Sequence, residues 1–146
     1  MKFKVNEKKT LETLIWVATA YPKIDVYKAF LILYRADKLH LNRYARPVTG
    51  DSYIVTKGKL IPDFASKVLH SAGLDIVHDI MYTTRIYDPN QFSKSDFECL
   101  WEVVYKDLEV HLIDGPISIE DMLDKNNEYR EEILEQLKET APYMLV

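Results

Sequence analysis

The chain predicts a mainly α, α+β fold: a compact helical domain around a central apolar helix, with a small β-hairpin or short antiparallel sheet. Three observations carry that prediction. From Val26 to Leu41 apolar residues cover nearly the whole circumference of a helix, with Lys28, Arg35 and Lys38 gathered on one side, which marks a buried central element. Ser93 with Asp96 three residues on reads as a capping box, and Phe97, Leu100, Trp101, Val104 and Leu108 then form an apolar stripe. Between Ile76 and Tyr87 the pattern turns β-rich, with Ile80, Tyr82, Thr84 and Ile86 alternating before the turn at Asp88-Pro89-Asn90.

The remaining elements follow in order. Asn6 caps a first helix carrying Leu11, Leu14, Ile15 and Ala18, which Tyr21-Pro22 stops. Asp25 is the N-cap of the central helix. A loop from Arg43 to Asp51 holds Pro47 and Gly50, and Ser52 to Thr56 reads as a short strand. Pro62 and Gly73 frame a third helix with Phe64, Ala65, Val68, Leu69 and Ala72. Asp114-Gly115-Pro116 reads as a turn, and Ser118 caps a short helix through Leu123. A final acidic helix runs from about Asn127 to Thr140, where Pro142 ends it, leaving the apolar tail 141–146 to fold back or remain extended. With 146 residues and no repeat, low-complexity tract or linker, the expectation is one domain, 1–146.

Composition narrows the function classes. No apolar run approaches the roughly 18 residues of a membrane span, and the basic start Met1-Lys2-Phe3-Lys4 leads into Asn6-Glu7-Lys8-Lys9 rather than the apolar region of a secretory signal. The single cysteine, Cys99, suits a reducing compartment, so the expected location is cytoplasmic. Residues 1–87 carry 14 Lys/Arg against 8 Asp/Glu, while residues 88–146 carry 5 against 15. Such asymmetry steers a partner of complementary charge, or sets two copies of the chain together as a homodimer.

A search for chemistry returns little. The four glycines, Gly50, Gly58, Gly73 and Gly115, are too scattered for a phosphate cradle, and no motif sets a nucleophile beside an oriented base. His40, His70, His78 and His111 lack ligand spacing, so neither metal nor cofactor is expected, and no catalytic residue is assigned. Cys99 points away from the stripe of its helix, which predicts some exposure. One polar anomaly stands out. At about 100° per residue, Asp37 and His40 fall on the side of Val26, Phe30 and Leu33, where each needs a partner. They pair with each other, or both reach the 43–51 loop as a polar clamp; a catalytic Asp-His pair would lack its nucleophile.

At this helix and loop the chain resembles a known family. Tyr34-Arg35-Ala36-Asp37, His40-Leu41, Tyr44, Pro47-Val48 and Gly50-Asp51 follow in order the signature of the Panacea domain, the SocA-like antitoxins. Phe92 to Leu100 is similar to the Leu-Ser segment that opens the family's later helix. Tyr44-Ala45 stands where the family has Tyr-Gly, and Lys57-Gly58-Lys59-Leu60-Ile61-Pro62 lacks the first proline of its Gly-Pro-Val-Pro turn, so the chain resembles a divergent member. The resemblance implies an antitoxin that binds and neutralises a cognate protein toxin from a neighbouring gene, directly or by delivery to an ATP-dependent protease, often in a prophage setting.

The expected partner surface is Arg35, Lys38, Arg43, Tyr44, Arg46, Tyr53, Lys57 and Lys59, since Arg and Tyr make good interface anchors. The expected structural clamp is Tyr34, Asp37, His40, Gly50 and Asp51. The alternative is a nucleic-acid-binding or regulatory protein that tracks phosphates with the basic Arg35–Lys59 surface. Overall acidity and the lack of a recognisable binding motif weigh against it.

Overall fold

A computed structural model describes residues 2–71, 73–106 and 112–144, the side chains of 140–144 excepted. Helix α1 spans Glu7–Ala20, and the Asn6 side chain accepts from the Lys9 N–H at 3.1 Å. Helix α2 spans Val26–Tyr44, with the Asp25 carboxylate accepting from the N–H groups of Tyr27 and Lys28 at 2.9 and 3.3 Å. It runs three residues past Leu41 and ends at Ala45, whose φ of +62° lets its N–H return to the Leu41 carbonyl. Both faces of α2 are buried, through Phe30, Leu33, Asp37, His40 and Leu41 on one side and Ala29, Ile32 and Ala36 on the others. The buried apolar side chains of α1, α2 and the elements around them form one contiguous cluster.

The fold is helix-dominated α+β, as the periodicity predicts, with two small antiparallel sheets. Strands β1 (Tyr53–Thr56), β2 (Lys59–Pro62) and β5 (Gly115–Ile117) lie in the order β2-β1-β5, with Tyr53 opposite both Pro62 and Ile117. The expected turn at Asp114-Gly115-Pro116 is therefore corrected: Gly115 and Pro116 belong to an edge strand, where a proline costs no ladder bond. Strands β3 (Leu74–Val77) and β4 (Ile80–Thr83) form a hairpin whose turn residues, His78 and Asp79, have φ of +51° and +63°. Leu74 and Met81 are its core residues, so Tyr82 faces outward, while Thr84 and Ile86 lie beyond the strand.

Helix α3 covers only Asp63–Lys67, shorter than the expected helix from Pro62 to Gly73. The chain has to turn after Lys67 to bring Leu74 opposite Thr83. Ala72, expected in that helix, lies outside the described residues.

Helix α4 (Lys94–Val104) begins at the expected capping box. It packs Leu100, Val103 and Val104 inward and leaves Trp101 half exposed. Cys99 is wholly buried, which corrects the expected exposure; burial also pushes its thiol pKa up. Leu108 and His111 lie outside the described residues. Helix α5 (Ile119–Met122) starts at a second capping box, Ser118 with Asp121. Helix α6 (Arg130–Met144) starts later than Asn127 and continues through Pro142, so the expected stop there is corrected. A proline in the last turn removes only one of the helix's closing hydrogen bonds.

Candidate functional site

The anomaly on α2 resolves into two separate polar clusters. The Asp37 carboxylate is fully buried and accepts three hydrogen bonds, from the Thr49 N–H at 2.7 Å, the Thr49 hydroxyl at 2.6 Å and the Tyr53 hydroxyl at 2.5 Å. Burial pushes its pKa up to about 6 against those bonds. The same burial, with Asp37 alongside, holds the Tyr53 phenol well above its ordinary value. Tyr34 meets the Tyr53 ring edge-on at 5.2 Å.

Gly50 and Asp51 serve the same corner. A Cβ on Gly50 would lie 2.9 Å from the Lys4 carbonyl oxygen, and its φ is +79°, so only glycine fits without strain. The Asp51 carboxylate accepts from the N–H groups of Ser52, Phe64 and Ala65 at 2.8 to 2.9 Å, which fixes the start of α3 against the loop. Tyr34, Asp37, Gly50 and Asp51 thus lie where α2, its loop, β1 and the start of α3 meet, while His40 joins the loop to α4.

His40 lies between the loop and α4. Its Nδ1 is 2.5 Å from the Arg46 carbonyl, which can only accept, so Nδ1 carries the proton and Nε2 accepts from the Ser95 hydroxyl at 2.8 Å. Burial lowers the His40 pKa below the ordinary imidazole value. A serine against an oriented imidazole has the outline of a nucleophile and its base. Here the imidazole is wholly buried, and its two nitrogens join the loop at Arg46 to α4 at Ser95. Next to it, buried Asp96 pairs with Lys9 at 2.6 Å and Arg46 at 3.2 Å. Burial raises the Asp96 pKa, but the bonds from Lys9 and the Ser93 N–H outweigh it and leave the carboxyl below its ordinary value.

The expected partner residues divide into groups. Arg43 lies 2.6 Å from Glu102 and 3.3 Å from Glu98, and the Tyr44 hydroxyl donates to Glu98 at 3.0 Å. Arg46 donates to the Ser93 hydroxyl at 3.0 Å as well as to Asp96. Lys9, Arg43 and Arg46 of the first half are thus set directly against carboxylates of α4. Tyr53 is in the interior, Lys57 is exposed in the β1–β2 turn, and the Lys59 ammonium sits 4.0 Å from the centre of the Tyr27 ring.

Arg35 and Lys38 instead line a groove of about 750 Å³ between α2, the end of α4, β5 and α5. Leu39, Val55, Val103 and Ile117 give it an apolar lining. Arg35 and Lys38 supply cations from α2 and Lys106, paired with Glu102, from just past the end of α4, while Asp114, Asp121 and Asp124 supply carboxylates from the opposite side. Lys38 and Asp124 face each other at 3.8 Å. A smaller hollow of about 280 Å³ adjoins it and shares Arg35 and Lys106. Ile117 is not legible as a groove residue in the sequence because β5 reads locally as a turn, and Lys106 and Asp121 become groove residues only through tertiary packing that brings the end of α4 and α5 to α2.

Among the described residues no group of three or more His, Cys, Asp or Glu side chains is placed to hold a metal ion. Among them, too, no helix is long and apolar enough to cross a membrane. Comparison with protein-family models, with curated proteins and with solved structures finds no match for the chain.

Proposed function

We propose that the chain is an antitoxin-like interaction protein that binds a cognate protein toxin and neutralises it by seating a segment of that toxin in the groove between α2, α4, β5 and α5. The groove carries the proposal: an apolar lining flanked by both signs of charge suits a protein segment, which brings apolar side chains and charges together. The resemblance to SocA-like antitoxins supports it. Its signature residues Asp37, His40, Gly50 and Asp51 all hold the loop to α2, α3 and α4, and so stiffen the helix that carries Arg35 and Lys38. Pairing of Arg43 and Arg46 with α4 carboxylates favours protein binding over phosphate tracking, since both cations already have counter-ions.

The test is co-expression with the product of the neighbouring gene in a bacterial host, scored by growth rescue and by pull-down. Rescue and capture are expected, and both should weaken in a Lys38→Glu variant with a bulky Ile117→Trp change at the partly exposed edge of the groove. A neighbouring product that is neither toxic nor bound sinks the proposal. Repeating the assay in a host lacking ATP-dependent proteases separates direct occlusion, in which rescue persists, from delivery for degradation, in which it fails.

A further inference from the structure

The proton positions around Ser95 follow from counting donors. The Ser93 hydroxyl accepts from the Asp96 N–H at 3.1 Å and from the Arg46 guanidinium at 3.0 Å, which fills both its lone pairs. Its own proton is left for the Ser95 hydroxyl, 2.9 Å away. On the other side His40 gives its Nδ1 proton to the Arg46 carbonyl, so its bare Nε2 takes the Ser95 proton at 2.8 Å. Ser95 is therefore a hydroxyl that receives one hydrogen bond and directs its proton at a base. The base comes from α2, the group that orients it from the loop, and the hydroxyl from the first turn of α4. Only the folded chain brings the three together, since Ser95 lies 55 residues beyond His40.

A nucleophilic serine needs a base within hydrogen-bond reach and a third group that fixes the base, and Ser95, His40 and the Arg46 carbonyl meet both conditions. Moving the proton from Ser95 to Nε2 charges the ring. The Asp96 carboxylate, shared with Lys9 and Arg46, lies 3.5 Å from that nitrogen and faces the new charge. The bond from Ser93 stabilises the Ser95 oxygen as its proton leaves. Ser95 is partly exposed, while His40 behind it is buried. We propose that Ser95 is a nucleophile that takes an acyl group from an activated ester or thioester, with His40 as its base. Ser95 Oγ bonds to the carbonyl carbon as its proton passes to His40 Nε2. The bond from that carbon to the leaving oxygen or sulfur then breaks, the leaving group departs as an anion with the electron pair, and Nε2 releases its proton to solvent. With the ring buried, the attack of water that frees the acyl group is the slower step, so the acyl-serine accumulates. This activity goes beyond the partner binding proposed above and does not depend on it.

Two probes test it on the full chain. A fluorophosphonate, whose fluoride the same Oγ displaces at phosphorus, is followed by peptide mapping in a mass spectrometer. Its label should appear on Ser95, on the order of a hundredfold faster than on Ser93 or any other serine. With p-nitrophenyl acetate the chain should release about one equivalent of nitrophenolate in a burst and then turn over slowly. Ser95→Ala, its fold checked by circular dichroism, should lose both reactions. In Ser95→Cys the neighbouring imidazole should draw off the thiol proton, so that iodoacetamide alkylates position 95 at about pH 6 faster than it alkylates free cysteine. Because the label is mapped on the unaltered chain, the test stands even where a variant does not fold. No label, a label on another residue, equal rates at Ser93 and Ser95, or a burst that survives in folded Ser95→Ala overturns the proposal.

Discussion

The Tyr53 hydroxyl donates to the buried Asp37 carboxylate at 2.5 Å, joining the first strand of the sheet to the central helix across the loop between them. Thr49 adds two more donors to the same carboxylate. Removing the acceptor strands three buried donors. We predict that Asp37→Ala lowers unfolding free energy by on the order of 1 to 3 kcal/mol, while Tyr53→Phe, which removes one donor, costs about 1 kcal/mol. Urea denaturation checks both, and equal losses would show that the carboxylate does not organise the cluster.

The same carboxylate makes stability depend on pH. Its folded pKa of about 6 lies above the ordinary 3.8, so the folded chain binds this proton more tightly than the unfolded chain. Its stabilising contribution is therefore complete below about pH 3.8 and is lost as pH rises through about 6. Glu12, held down by the Arg85 guanidinium, and Asp96, held down by Lys9, act in the opposite sense and cost stability in acid. The difference between the parent chain and Asp37→Asn isolates the single titration. Moving from about pH 8 to about pH 5 should favour the parent chain by roughly 1 kcal/mol relative to the variant. A flat difference would mean that the three donors keep the carboxyl at its ordinary pKa.

Two glycines with similar backbone should respond differently. Gly50 and Gly58 have φ of +79° and +74°, but a Cβ at Gly50 meets the Lys4 carbonyl at 2.9 Å, whereas nothing lies within 4 Å at Gly58. Gly58→Ala should cost about 1 kcal/mol for its backbone alone, and Gly50→Ala should cost distinctly more, roughly 2 to 4 kcal/mol, because the amino-terminal segment has to move. Thermal melts of the two variants decide it, and equal shifts would rule out the close approach.

Read from the sequence, Arg43, Arg46 and Lys57 are equivalent surface cations; in the structure they are not. Arg46→Glu sets a carboxylate against buried Asp96 and should lower the melting temperature clearly. Arg43→Glu, at a more exposed pair of carboxylates, should lower it less, and Lys57→Glu hardly at all. A melting temperature unchanged by Arg46→Glu would mean that Lys9 alone satisfies Asp96.

The contrast shows how far the sequence reaches. Helices α1, α2 and α4 are legible because their caps, Asn6, Asp25 and Ser93, lie next to periodic apolar residues, and a helix closes its hydrogen bonds within itself. Strand β5 is not legible, because its three residues are a strand only through pairing with β1, some sixty residues earlier in the chain. The polar side of α2 is visible as an anomaly, but Asp37 and His40 point to different neighbours, and Ser95 lies 55 residues beyond His40. Cys99 reads as outward because it lies off the stripe of Phe97, Leu100, Trp101, Val104 and Leu108, whereas the packed face takes in Cys99, Leu100 and Val103 and leaves Trp101 half exposed.

Asp96 is at once the third residue of α4, where it accepts from the Ser93 N–H, and the counter-ion of Lys9 on α1 and of Arg46 in the loop. A helix start that is ordinarily a local affair here depends on two segments far away in the chain. Loosening α1 would expose a carboxylate whose partners are spread over three pieces of backbone, so the first turn of α4 should fray only when those pieces separate. Its amide protons should therefore exchange with solvent at the rate set by opening of the whole molecule rather than at the faster rate usual for helix ends.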